Sequence, residues 1–187
     1  LATERIIRYA RISTTDIRPA VWFAALALAL IPLVPTALPV TERGYTPQFF
    51  TDGTVRQFVD HGSVVVVPPP TRLDARPLNW QIDSGFSFPL AGGYFVGPDM
   101  YGKGRYGPDD RRTSIMLMRA QRSNRVQPVD EAAKARARAD LAYWHADVLV
   151  LTQIEHGTAV RETLDHLLGI SGRVVDGVFV WDVRSLR

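Results

Sequence analysis

Between Arg18 and Glu42 lie 23 residues without a formal charge, and residues 21–40 (VWFAALALALIPLVPTALPV) form their apolar centre. At 1.5 Å rise per residue a helix of that length spans about 34 Å, enough for a hydrocarbon layer about 30 Å thick. The run therefore predicts a transmembrane helix over 19–41. Pro32, Pro35 and Pro39 would kink or unwind its last turns, which is tolerable near an interface where water or protein satisfies the freed carbonyls. Two other readings of the run are a cleaved signal peptide, with an n-region at 5–18, an apolar region at 24–34 and a small-residue site near Ala37, and a buried helix. The chain starts at Leu1 rather than Met, which leads us to expect a piece of a longer polypeptide.

Orientation follows from the flanks. Arg5, Arg8, Arg11 and Arg18 precede the run, against only Arg43 and Arg56 within about twenty residues beyond it. Basic flanks stay inside, so residues 1–18 are expected to be a cytoplasmic flank and residues 42–187 an extracytoplasmic domain at the cell membrane.

Some 145 residues suffice for one domain with its own core. With 46% hydrophobic and 22% charged residues, disordered, collagen-like and disulfide-scaffold classes are excluded. The formal charge is only +3. No ribonucleoprotein, helix-turn-helix or zinc signature accompanies it, so a nucleic-acid partner is not expected. The absence of cysteine removes disulfides, thiolate metal ligands and cysteine nucleophiles. Of the 22 basic side chains all but Lys103 and Lys134 are arginine, a skew that suggests a GC-rich coding sequence.

Beyond the apolar run, Thr46-Pro47 offers an N-cap and first-turn proline for one or two short helices carrying Phe49, Phe50, Val55, Phe58 and Val59. Residues 63–67 are nearly all β-branched and stop at Pro68-Pro69-Pro70, the pattern of a strand buried on both faces. Residues 147–152 (DVLVLT) repeat it. Helical patterns cover 113–121, 128–144 and 158–168, the last closed by Gly169. Asp176-Gly177 between 173–175 and 178–183 signals a hairpin. The order predicts a small α/β sandwich with a mixed sheet, 63–67 parallel to 147–152, and the hairpin at an edge. Residues 68–108, rich in Gly, Pro and aromatics, are expected to form a long irregular insert with a functional or interface role.

Chemistry-bearing patterns are sparse. Gly102-Lys103-Gly104-Arg105-Tyr106-Gly107 spells G-x-G-x-x-G, but a dinucleotide fingerprint needs a strand before it and a helix directly after, and here Pro108 follows. The histidines at 61, 145, 156 and 166 lack metal-ligand spacing. No metal, cofactor or hydrolase elbow is expected. Residues 103–125 carry seven basic side chains against Asp109 and Asp110. A solvated face is one account. The other is attraction to anionic headgroups or a polyprenyl phosphate, with Arg111 and Arg112 as bidentate forks. Trp80 and Tyr94, with Asp83, Asp99, Asp109 and Asp110 nearby, suit a carbohydrate surface of rings and carboxylates. Core packing is the competing role for Trp80, Phe86 and Phe88.

The stretch Leu78-Asn79-Trp80-Gln81-Ile82-Asp83-Ser84-Gly85-Phe86-Ser87-Phe88, with Ala91-Gly92-Gly93-Tyr94-Phe95-Val96-Gly97-Pro98, resembles the C-terminal extracytoplasmic region of actinobacterial polytopic membrane glycosyltransferases of the GT-C type. Pro47-Gln48-Phe49-Phe50, Trp144 before a hydrophobic strand, and Gly177-Val178-Phe179-Val180-Trp181-Asp182 extend the likeness over about residues 20–187. The resemblance implies a polyprenyl-phosphate sugar donor, a catalytic carboxylate in an early outer loop between the first membrane helices, and upstream helices as partners. That loop is not among these residues, so no catalytic residue is carried over. The chain alone is expected to be inactive, with Trp80, Asp83, Tyr94, Arg111 and Arg112 as its candidate contacts to glycan acceptor or lipid-linked donor. The alternative expectation is a non-enzymatic, membrane-anchored binding module of the cell envelope.

Overall fold

The computed structural model describes residues 18–33, 44–69, 74–93, 95–99, 101–108 and 110–186. The chain divides into two compact units, Leu1–Glu42 and Arg43–Arg187.

In the first unit, helix α1 (Arg18–Leu30) runs into a 3-10 turn at Ile31–Leu33. Proline lacks an N–H and clashes with the carbonyl four residues back, so Pro32 accounts for the α-helix ending two residues earlier. Its large apolar side chains, Trp22 and Phe23 among them, are exposed. No helix among the described residues is long and apolar enough to cross a membrane. The remainder of the expected span, residues 34–41, lies outside the described residues.

The second unit is α/β with a four-stranded mixed sheet. Its elements are α2 (Gln48–Thr51), a 3-10 turn (Thr54–Gln57), β1 (Ser63–Val67), α3 (Arg76–Asp83), β2 (Val96–Pro98), β3 (Gly104–Tyr106), α4 (Arg112–Ser123), α5 (Glu131–Tyr143), β4 (Ala146–Leu151), α6 (Gly157–Leu168), β5 (Arg173–Val175) and β6 (Val178–Asp182). The main sheet has the order β1-β4-β6-β5. As expected, β1 pairs parallel with β4 and the hairpin lies at an edge, with β5 outermost; β6 joins it to the sheet by pairing antiparallel with β4.

The two-residue side-chain period of a strand divides the core. Val65, Val67, Leu149, Leu151 and Trp181 point into a cluster with Leu117 of α4, Leu141 of α5 and Leu164 of α6. Val64, Val66, Val148, Val150 and Val180 point the other way, onto Phe49, Phe50, Phe58, Trp80 and Phe88. Both faces of the sheet are thus covered, which is why β1 and β4 read as continuous apolar runs.

The insert is more ordered than its composition predicts. Pro77 sits in the first turn of α3, where a missing N–H costs nothing. Strands β2 and β3 form an antiparallel ribbon with Val96 opposite Tyr106. Phe86, expected in the core with Trp80 and Phe88, is exposed.

Candidate functional site

The insert returns to the sheet along the edge of β1. The Val64 N–H donates to the Pro89 carbonyl at 2.8 Å and the Ala91 N–H to the Val64 carbonyl at 2.9 Å, so Leu90 covers that edge with one parallel bridge. The chain then turns at Gly92 and Gly93, with φ of 90° and 145°, values that glycine reaches without a Cβ penalty. Next comes the ribbon, tied down by the Gly107 N–H to the Phe95 carbonyl at 2.7 Å. Between this path, β1, α4 and the end of α5 lies a cleft of about 360 Å³.

Its polar groups come from three elements. Arg105 of β3 and Asp110, just before α4, form an ion pair, Nη2 to Oδ2 3.0 Å. Ser114, buried in the first turn of α4, lines the same space, as do Tyr106 and Trp144, the latter also packed against the core. Trp144 is held by its own carbonyl, which accepts the Ser63 hydroxyl at 2.7 Å. The paired charges of Arg105 and Asp110 oppose each other, so the cleft offers rings, a hydroxyl and a neutralised ion pair. Such a lining suits a neutral polyhydroxyl ligand, whose ring faces are apolar and whose rim is polar.

Of the five residues singled out from sequence, the four that are described, Trp80, Asp83, Arg111 and Arg112, do not line the cleft. Trp80 is 4% exposed, stacked on Phe50 with centroids 5.3 Å apart, and its Nε1–H reaches the Tyr45 carbonyl at 3.3 Å. It is a core residue on the side of the sheet away from α4. Asp83, at the end of α3, accepts the Thr46 hydroxyl at 2.5 Å. Tyr94 and Asp109 lie outside the described residues. The Arg111 Nε donates to Asp140 Oδ1 at 2.7 Å, and its guanidinium lies over the Tyr143 ring at 4.3 Å. The fork proposed for phosphate is thus engaged inside the protein. Arg112 is exposed at the start of α4.

The cleft residues that sequence reasoning did not assemble are Arg105, Tyr106, Ser114 and Trp144. The first two sit in the G-x-G-x-x-G run, which forms the turn and second strand of the ribbon; α4 begins only at Arg112. Gly93→Val is expected to cost about 1–3 kcal/mol through the strained φ. Contact is not the obstacle, because a Cβ there would meet Phe95 Cδ1 at 3.8 Å and Leu78 Cδ2 at 3.9 Å. Urea unfolding of residues 43–187 measures it; an unchanged midpoint refutes an ordered motif. Comparison with protein-family models, with curated proteins and with solved structures finds no match for this chain.

Proposed function

We propose that this chain is the C-terminal, extracytoplasmic part of a polytopic GT-C-type membrane glycosyltransferase of the cell envelope that uses a polyprenyl-phosphate sugar donor. In this reading residues 19–41 anchor it in the membrane, and residues 42–187 support the fold and bind the sugar of acceptor or donor, without a catalytic residue of their own. The observation that carries the reading is the cleft at the β1 edge: two of its lining residues, Gly92 and Gly93, open the G-G-Y-F-x-G-P motif on which the resemblance rests. The charge pattern favours the sugar over the phosphate as the part bound there, since Arg105 is paired with Asp110 and Arg111 with Asp140.

The test uses membranes carrying the parent enzyme and a labelled polyprenyl-phosphate sugar. Loss of one ring contact worth about 1–1.5 kcal/mol corresponds to a KM change of about tenfold, so Trp144→Ala is expected to raise KM for acceptor or donor by that factor while kcat is retained. Saturation-transfer NMR of this chain with neutral oligosaccharides is the direct companion, its signal lost in Trp144→Ala. Transfer with both KM values unchanged, and no saturation of any oligosaccharide, overturns the assignment of the cleft. Oligosaccharide binding without transferase activity in those membranes identifies the anchored binding module instead.

A further inference from the structure

Phe86 pairs two costs that a folded chain ordinarily avoids. Its backbone is left-handed, φ 57°, a conformation in which a bulky side chain is a genuine outlier and Asn or Gly is at home. The residue is 69% exposed. The conformation is fixed by the closure of α3, where the Gly85 N–H donates to the Ile82 carbonyl at 2.9 Å and the Phe86 N–H to the Gln81 carbonyl at 2.8 Å. Strain retained on an exposed apolar side chain points to a partner that the ring meets.

The surroundings share the same character. Ile82 on α3 and Tyr45 are also exposed. Tyr45 belongs to the segment by which the chain enters this domain, twelve residues after Leu33 of the apolar run, and that segment is fastened to α3 at two points: Trp80 Nε1–H to the Tyr45 carbonyl and Thr46 Oγ1–H to Asp83. Leu78 of α3 and the Phe95 ring at the base of the ribbon both come within 4 Å of the Cβ position of Gly93, so the ribbon starts beside α3. A two-stranded ribbon with three-residue strands is marginal in water on its own. Phe95, Val96 and Tyr106 on it are nonetheless exposed. At its tip Asp99 Oδ1 accepts the N–H groups of Tyr101 and Lys103, each at 2.8 Å, a turn that leaves Tyr101 77% exposed.

We propose that Tyr45, Ile82, Phe86, Phe95 and Tyr101 form a lipid-docking surface that lies in the interfacial zone of the bilayer. The inference rests on the reading of residues 19–41 as a membrane span and deepens it. Aromatic and aliphatic side chains of a membrane-tethered domain partition to the headgroup level, where an amphipathic ring is favoured over both water and hydrocarbon. The charges here do not make the surface an electrostatic one: Asp83 and Asp99 accompany Lys103, while Arg105 pairs with Asp110 and Arg111 with Asp140. Docking therefore depends on apolar contact and occurs on zwitterionic lipid.

The chain contains no cysteine, so single-cysteine variants can carry an environment-sensitive fluorophore. Phe86→Cys, Tyr101→Cys and, as a control on the opposite helical layer, Ala139→Cys are made in the full 187-residue chain and reconstituted into phosphatidylcholine vesicles doped with nitroxide-headgroup lipid. The expected result is blue-shifted emission and several-fold stronger nitroxide quenching at positions 86 and 101 than at 139, little changed by 0.5 M salt, a concentration at which the Debye length falls to about 4 Å. Replacing both Tyr45 and Ile82 by Glu should reduce quenching at 101. Two failures are distinguishable. A chain released by alkaline carbonate overturns the membrane span and this surface with it. A chain retained in the membrane, with labels at 86 and 101 quenched no more than at 139, overturns the lipid-docking surface alone, as does quenching that salt abolishes.

Discussion

Gly62→Ala is expected to destabilise the domain by about 3–5 kcal/mol, more than any single change in the insert. Gly62 sits where the loop before β1 crosses the start of β4. Its N–H donates to Asp147 Oδ2 at 2.7 Å, and the Asp60 N–H reaches the same oxygen at 2.8 Å. A Cβ on Gly62 would collide with the His145 carbonyl oxygen and lie 2.5 Å from Asp147 Oδ1. Neither neighbour is free to move, because the His145 carbonyl accepts the Ser63 N–H at 2.8 Å and the Asp147 carbonyl accepts the Val183 N–H at 2.9 Å. Relief requires opening the β1–β4 junction. Overpacking costs about 1–3 kcal/mol, and weakening a hydrogen bond to a fully buried carboxylate adds about 1.5–3 kcal/mol. Thermal unfolding of residues 43–187 should show a fall in Tm of about 10 °C or more. Gly104→Ala is the control, since nothing lies within 4 Å of its Cβ position. If both variants melt with the parent, the junction is not the rigid point described.

The sheet was legible for a physical reason. A strand buried on both faces cannot alternate, so Ser63–Val67 and the apolar run at β4 stand out from any helix pattern of comparable length, and the Asp176-Gly177 turn marks the β5–β6 hairpin. The insert was not legible, for the converse reason. Among its eight residues α3 buries only Pro77 and Trp80, which is no stripe, and each ribbon strand is three residues long with no buried position. A segment that packs by its ends and turns leaves no period to read. Phe86 shows the limit of composition: an aromatic residue implies burial until the backbone reverses at Gly85, a geometry that the letters do not carry. Thr46 is similar. It looks like an N-cap, yet α2 starts after Pro47 with no side-chain cap, and the Thr46 hydroxyl goes to Asp83, 37 positions away.

The same reasoning separates the cleft from the residues first singled out. Trp80 and Arg111 drew attention by type, but each is spent on packing or pairing inside the domain. The cleft residues come from β3, the first turn of α4 and the end of α5, brought together only because the insert folds back along β1. Their one sequence signal was the glycine density at 92, 93, 102, 104 and 107, which marks tight turning without saying what it encloses.

Asp140→Ala is the second large effect, expected at about 3 kcal/mol. The helix N-terminus of α4 lacks a local cap, for Arg111 stands at the N-cap position and makes no side-chain bond to the first turn. Asp140 of α5 supplies the acceptor from across the layer: its Oδ2 takes the Thr113 N–H at 3.0 Å and its Oδ1 takes Arg111 Nε at 2.7 Å. The carboxylate is buried while Arg111 keeps a third of its side chain exposed. Breaking a fully buried pair costs about 3–5 kcal/mol; partial exposure of the cation places this one at the lower end. Asp140→Asn should cost less, since its amide oxygen still caps Thr113. Arg111→Glu should be at least as harmful as Asp140→Ala, because it sets two carboxylates against each other in a poorly hydrated site, so loss of activity in that variant would report unfolding rather than a lost phosphate contact. A double-mutant cycle on Arg111→Ala and Asp140→Ala, read by urea unfolding of residues 43–187, is expected to give a coupling of about 1–3 kcal/mol. Additive losses would mean that the Arg111–Asp140 pair contributes nothing, leaving the Thr113 N–H as the only partner through which Asp140 supports α4.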